Sequence, residues 1–379
     1  MNGLYNITED QQSLVELIRD FMTREIKPHV LEWEKEGHYP KEVIQQGIEM
    51  GLHMMQVPEE FGGMGLDTTT TAMMIEEGAK VESTFMGMFN VTSMGGKIVM
   101  AAGTKEQKEY YASLLQKGYI SSFCLTEPDA GSDSAAVRTS AVKKGDHYII
   151  NGTKMFITNA SLADVFLVVA TLDPSKGAKG LATFIVEKEQ SGVQIGKKID
   201  KIGMRLSNTA EVIFDNVEVP ASNLIGTEES GFVNAMKVLT ASRPIIAASS
   251  LGACQLARDL AIQYSKERVA FGKPICAKQM IQEKLANMEI LIQAGRGLVY
   301  NATMLLDQGK SCNKEAAIAK CFVTEAYGKI TDDALQIFGG YGLCDEYLIS
   351  KLYRDSRVNR IIEGTNEIQR VVISKAMLR

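Results

Sequence analysis

The chain has 379 residues, 45% hydrophobic and 23% charged, with a formal net charge of −5. It is too long for one hydrophobic core, since domains usually run to roughly 100–200 residues, so two or three domains are expected. The composition argues against a disordered chain, and the acidic balance argues against a nucleic-acid binder.

The first twelve residues, Met1 to Gln12, lack the layout of a signal peptide, and no 18-residue apolar run predicts a membrane span. Six scattered cysteines without a Cys-x-x-Cys pair point to reduced thiols and a cytoplasmic setting. The four isolated histidines have no metal-ligand spacing, so no metal site is expected. Nineteen methionines stand beside one tryptophan, twelve of them within the first 104 residues. Such flexible thioethers suit a soft core or an adaptable pocket.

From residue 8 to about 118 the period is helical. Thr8 with Gln11 forms a capping box, followed by Leu14, Leu17, Ile18, Phe21 and Met22 at helical spacing. Near residue 120 the pattern turns to strands. Tyr148 to Ile150, Asn151-Gly152 and Met155 to Ile157 predict a tight hairpin. Further strands are expected at 165–170, 182–186 and 212–214. The helical period returns from about residue 229. Helices, then strands, then helices predict an α+β fold with domains at 1–118, 119–228 and 229–379. The usual motifs of nicotinamide enzymes, P-loop enzymes, esterases and zinc proteases are absent.

Five segments could carry chemistry. Leu125 to Asp133 is a small polar loop with backbone N–H groups to offer a polar ring or phosphate. Phe156 and Thr158, two apart on a strand, could present a ring and a hydroxyl on one face. Arg268 to Lys273, followed by Gln279, carries a guanidinium suited to phosphate. Gln336 to Gly342 holds three glycines where a ligand or another backbone could approach. Ile361 to Gln369 places Glu363 on a loop ahead of a helix that Thr365 can cap. A carboxyl there, if desolvated, would suit proton abstraction. Taken singly, each segment also reads as an ordinary turn, strand pair or solvated carboxylate.

Their order is more specific. The blocks CLTEPDAGSD, NGTKMFITN, ERVAFGKPI, QIFGGYG and IIEGTNEIQR run across nearly the whole chain. In this the chain resembles the acyl-CoA dehydrogenase family, and looks closest to bacterial short-chain dehydrogenases and enoyl-CoA reductases that work with electron-transfer flavoprotein. The resemblance implies an N-terminal helical domain, a middle β-barrel or sandwich domain and a C-terminal four-helix bundle. It implies FAD, a homotetramer built as a dimer of dimers, and no membrane insertion.

By that resemblance Phe123, Leu125, Thr126, Phe156 and Thr158 lie along the flavin, the last near its N5. Arg268, Phe271 and Gln279 would contact the FAD of a partner subunit, with Gln336, Gly339 and Gly340 near its ADP part. Thr365 and Glu367 would lie at the adenosine-diphosphate end. Ser132, Ser207 and Arg243 match positions along the CoA arm. Glu363 matches the catalytic base, flanked by Ile362 and Gly364. Met86, Met88 and Met94 become candidate walls of the acyl pocket.

Two departures stand out: Ile362 replaces a tyrosine of many relatives, and Thr240 replaces an acidic residue. The first leaves room for a bulky or aryl enoyl thioester, as in a caffeyl-CoA reductase subunit of an electron-bifurcating complex. A flavin oxidase, a subunit devoted to docking in an electron-transfer assembly and a non-catalytic member are the competing readings.

Overall fold

The structure, a computed structural model, describes residues 7–378; the opening part of the stretch read for a signal peptide lies outside them. Six helices come first: α1 (Glu9–Phe21), α2 (Val30–Glu36), α3 (Lys41–Glu49), α4 (Thr68–Ala79), α5 (Ser83–Ala102) and α6 (Lys105–Gln116). Their starts follow from local chemistry. Thr8 and Gln11 form the expected capping box of α1, and Thr104 with Gln107 repeats it on α6. Asp67 caps α4 through the Thr70 N–H, and Glu82 caps α5 through those of Thr84 and Phe85.

Eight strands follow: β1 (Ser121–Cys124), β2 (Ser140–Lys144), β3 (His147–Thr158), β4 (Val165–Thr171), β5 (Leu181–Glu187), β6 (Val193–Ile195), β7 (Thr209–Pro220) and β8 (Leu224–Ile225). They form one sheet in the order β6-β7-β3-β2-β4-β5-β8, with β1 beside β4. The β1–β4 pairing is parallel, while β3 and β7 pair antiparallel along most of their length.

The hairpin expected at Asn151-Gly152 is a bulge inside the continuous strand β3, where the register with β7 shifts between Ile150 and Gly152. A Cβ on Gly152 would come within 2.6 Å of the Thr139 Cα, so the neighbouring chain requires glycine here. Local sequence carried the turn signal, and tertiary contact turned it into close packing.

Next comes α7 (Gly231–Glu267), the two-residue strands β9 (Val269–Ala270) and β10 (Lys273–Pro274), then α8 (Gln279–Asp307), α9 (Asn313–Phe338), α10 (Leu348–Asn359) and α11 (Asn366–Met377). Helices α7, α8 and α9 pack on one another, and α10 and α11 pack on α9. Five helices therefore occupy the region read as a four-helix bundle. The chain breaks between α10 and α11, where Glu363 and Gly364 both take positive φ, 57° and 86°.

By length and composition α7 could cross a membrane, but 67% of its most apolar window is buried inside the protein. Its apolarity serves the core: a Cβ on Gly252 of α7 would meet the Glu76 carbonyl of α4 at 2.2 Å. Buried charge joins distant segments. Lys351 on α10 lies 2.9 Å from Glu82 and 2.6 Å from Asp355, and the Met204 N–H donates to Asp355.

Candidate active site

Glu363 stands on the loop between α10 and α11. Its carboxylate accepts a 2.7 Å hydrogen bond from the Ser242 hydroxyl on α7. Loss of hydration raises its pKa, while Ser242, Arg243, Lys320 and Lys97 oppose that rise. The cations come from α7, α9 and α5. Burial brings the Lys320 and Lys97 amines down to about 8.

The loop is held from behind. The Gln369 amide donates to the Glu363 carbonyl at 3.2 Å and the Gly364 carbonyl at 2.9 Å, and Lys320 donates to the Gly364 carbonyl at 3.0 Å. Thr365 caps α11 through the Ile368 N–H, as expected. With φ of 57°, the Glu363 backbone is in a region costly for a residue with a side chain. Its N–H has no partner among the described residues.

A second group lies on the sheet. Phe156 takes φ 59° at the register shift between Lys154 and Ile157, and the residue is 62% exposed. Beyond that shift Phe156 and Thr158 flank the buried Ile157. The adjacent Leu125 to Ala130 loop is anchored by the buried Lys154 ammonium, which donates to the Leu125 carbonyl at 3.1 Å and to Glu127 at 2.7 Å. Glu127 also accepts the N–H groups of Arg138 and Thr139. The Met155 N–H bonds the Thr126 carbonyl at 2.8 Å, holding the loop against β3. Leu125 is buried, while Phe123 and Thr126 are half-buried beside it.

A third group forms a cleft of about 470 Å³ at the far ends of α7 and α9, including Tyr264, Arg268, Phe338, Gly339 and Gly340. A Cβ added to Gly339 or Gly340 would meet no atom within 4 Å. Arg268 has no acidic partner among the described residues and lies over the Tyr341 ring at 5.8 Å. The β9–β10 turn holds Phe271 at φ 54° with 94% of the residue exposed, and Lys278 over its ring. Gln279 opens α8 and Gln336 stands near the end of α9, both exposed.

The remaining predicted residues are dispersed. Ser132 is exposed and Ser207 half-buried, its carbonyl accepting from Lys201. Arg243 is buried and donates to Asn313, which also accepts from the Thr240 hydroxyl. Ile362 and Thr365 are half-buried and Glu367 exposed. Met86 packs toward α4, since a Cβ on Gly78 would meet its Cγ at 2.5 Å. Met88 joins the main core and its carbonyl accepts from Asn159. Met94 belongs to a separate core cluster. Sequence reasoning missed Ser242, Lys320, Gln369 and Lys97. One signal was available: Lys97 is the only charged residue in the 20-residue α5.

Family profiles for the N-terminal, middle and C-terminal domains of acyl-CoA dehydrogenase match residues 8–118, 122–217 and 229–378. The chain is 43% identical over 375 residues to a 3-(aryl)acrylate reductase of Clostridium sporogenes, covering 98% of this chain and 99% of that protein. Its structure is similar to butyryl-CoA dehydrogenase from Megasphaera elsdenii, with 39% identity, TM-score 0.96 and coverage of 99% and 100%. A chain from work on the electron transferring flavoprotein of Acidaminococcus fermentans and flavin-based electron bifurcation is 41% identical, with TM-score 0.96 and 99% coverage of each. This chain belongs to the acyl-CoA dehydrogenase family, flavoprotein oxidoreductases that act on CH–CH bonds.

Proposed function

We propose that the chain interconverts an acyl-CoA and its α,β-enoyl-CoA, with Glu363 as the proton-transferring base and FAD as the redox group. The carrying observation is the presence, on one residue, of a desolvated carboxylate and a backbone N–H without a partner among the described residues. A thioester α-C–H becomes acidic when its carbonyl is polarised. The Glu363 N–H donates to that carbonyl while a Glu363 carboxylate oxygen removes the α-proton. In the reverse direction the protonated carboxyl returns it. Burial that raises this pKa makes the carboxylate a stronger base in the forward direction and the carboxyl more available in the reverse.

The residues present fit the cofactor. Phe123, Leu125, Thr126, Phe156 and Thr158 offer a ring-sized face on the sheet. The cleft at Gly339 and Gly340 leaves backbone open to close approach, and Arg268, with no acidic partner among the described residues, offers its guanidinium to phosphate. Bound FAD supplies the hydride acceptor at its N5. The exposed Phe271 ring supports a second copy completing the site, with Arg268, Gln279 and Gln336 reaching the copy's cofactor and Thr365 and Glu367 at its diphosphate end. A homotetramer in the cytoplasm follows from the same reading. Ser132, Ser207 and Arg243 are assigned to the CoA arm.

Electron-transfer flavoprotein is the proposed electron partner, in keeping with the Acidaminococcus relative. An arylacrylyl thioester is a second reading of the substrate, favoured by Ile362 in place of a ring beside the base and by the Clostridium relative. The test is anaerobic addition of butyryl-CoA and 3-phenylpropionyl-CoA to the purified protein, followed at the flavin absorbance band. Bleaching, and its reversal by electron-transfer flavoprotein, is expected. Bound flavin that neither thioester bleaches would overturn the proposal, and peroxide formation in air would identify an oxidase.

A further inference from the structure

We propose that the acyl pocket is built for an aryl-bearing thioester whose ring carries an oxygen substituent, gripped at Asn90. This rests on reading the site as an acyl-CoA site. Helix α5 is buried along most of its length, yet Gly87 and Val91 are only half-buried. A Cβ added to Gly87 would meet nothing within 4 Å, so the space beside it is open. At 3.6 residues per turn, Gly87, Asn90, Val91 and Met94 share one side of α5. On α7 the side carrying Ser242 continues one turn on to Ile246, half-buried between the buried Ile245 and Ala247. Gly87, Val91 and Ile246 are thus apolar positions left partly uncovered within otherwise buried stretches. A flat apolar ring would cover them.

Polar groups in this region lack partners. Asn90 is 3% exposed and its amide nitrogen has no hydrogen-bond partner among the described residues. Ser93, one turn on, is 2% exposed and its hydroxyl is also unpartnered. Buried donors are nearly always satisfied, and a ligand oxygen would satisfy these.

Position along α5 indicates which part of the acyl group they would meet. Helix α5 packs on α7, the helix that carries Ser242, and the charge on α5 that acts on Glu363 is that of Lys97. Asn90 lies two turns away, ~10 Å along the axis. A butyryl chain ends short of it. A ring attached at the β-carbon spans the interval and brings its substituent to the Asn90 amide, with the Met94 thioether on the same side.

The test uses the oxidised holoenzyme titrated with three thioesters, followed by perturbation of the flavin spectrum. These are but-2-enoyl-CoA, 3-phenylacrylyl-CoA and 3-(4-hydroxyphenyl)acrylyl-CoA. The hydroxylated compound is expected to bind about tenfold or more tightly than its phenyl parent. In Asn90→Leu, with flavin content confirming the fold, that ratio should fall to about one. A ratio near one in the wild type overturns the inference, as does an undiminished ratio in flavin-loaded Asn90→Leu. Should that variant fail to fold, the wild-type ratio and Ser93→Ala decide. If none of the three thioesters perturbs the bound flavin, the acyl-CoA reading itself fails, and the inference with it.

Discussion

Ser242 on α7 donates its hydroxyl to Glu363 across 2.7 Å, tying the long helix to the loop between α10 and α11. Burial raises the Glu363 pKa, and Ser242 is the strongest group holding it back, ahead of Arg243, Lys320 and Lys97. Ser242→Ala should therefore raise it further. Thioester oxidation needs the carboxylate, so its acid limb should move to higher pH. Enoyl reduction needs the carboxylic acid, so it should persist to higher pH. Stopped-flow rates against pH, of anaerobic flavin bleaching by acyl-CoA and of return of the flavin band when enoyl-CoA is added to reduced protein, read the two directions.

Lys97→Met removes a cation that acts on the same carboxylate from α5. The acid limb should again shift upward, by less than in Ser242→Ala, because Lys97 ranks below Ser242 among the opposing groups. An unchanged or downward-shifted limb would dissociate Lys97 from Glu363.

Glu363→Gln keeps the side-chain volume and removes the carboxylate proposed as the base. Turnover should fall by about 10²–10⁴-fold with flavin still bound. Turnover with butyryl-CoA and flavin content on the same preparation measure the two effects separately.

Gln369 supports the Glu363 loop through two carbonyls. Gln369→Leu should release that loop, lowering kcat about tenfold with a smaller change in KM, since placement of the base affects the reacting geometry more than binding. Steady-state kinetics read the split.

Lys351→Met leaves Glu82 and Asp355 buried without their shared cation. Removing one member of such a cluster costs about 3–5 kcal/mol. A lowered midpoint in thermal unfolding of the flavin-loaded protein is expected, and an unchanged midpoint would contradict the role given to this cluster.

The helix caps at Thr8 and Thr365 and the succession of helices, strands and helices were legible in the sequence, because caps and hydrophobic periods are local. Glu363 was legible through its place in an ordered set of blocks. The Asn151-Gly152 signal misled, because whether it forms a turn or a bulge depends on Thr139 across the sheet. The apolarity of α7 was likewise ambiguous until its neighbours were known.

The sequence by itself determined that this is a three-part flavoprotein-family chain with a glutamate ahead of its last helix. Only the tertiary structure decided what surrounds that glutamate. Ser242, Lys97, Lys320 and Gln369 reach its loop from separate helices, and no spacing rule relates them. A carboxyl's pKa depends on lost hydration and nearby charge, and both are set by residues far apart in the chain.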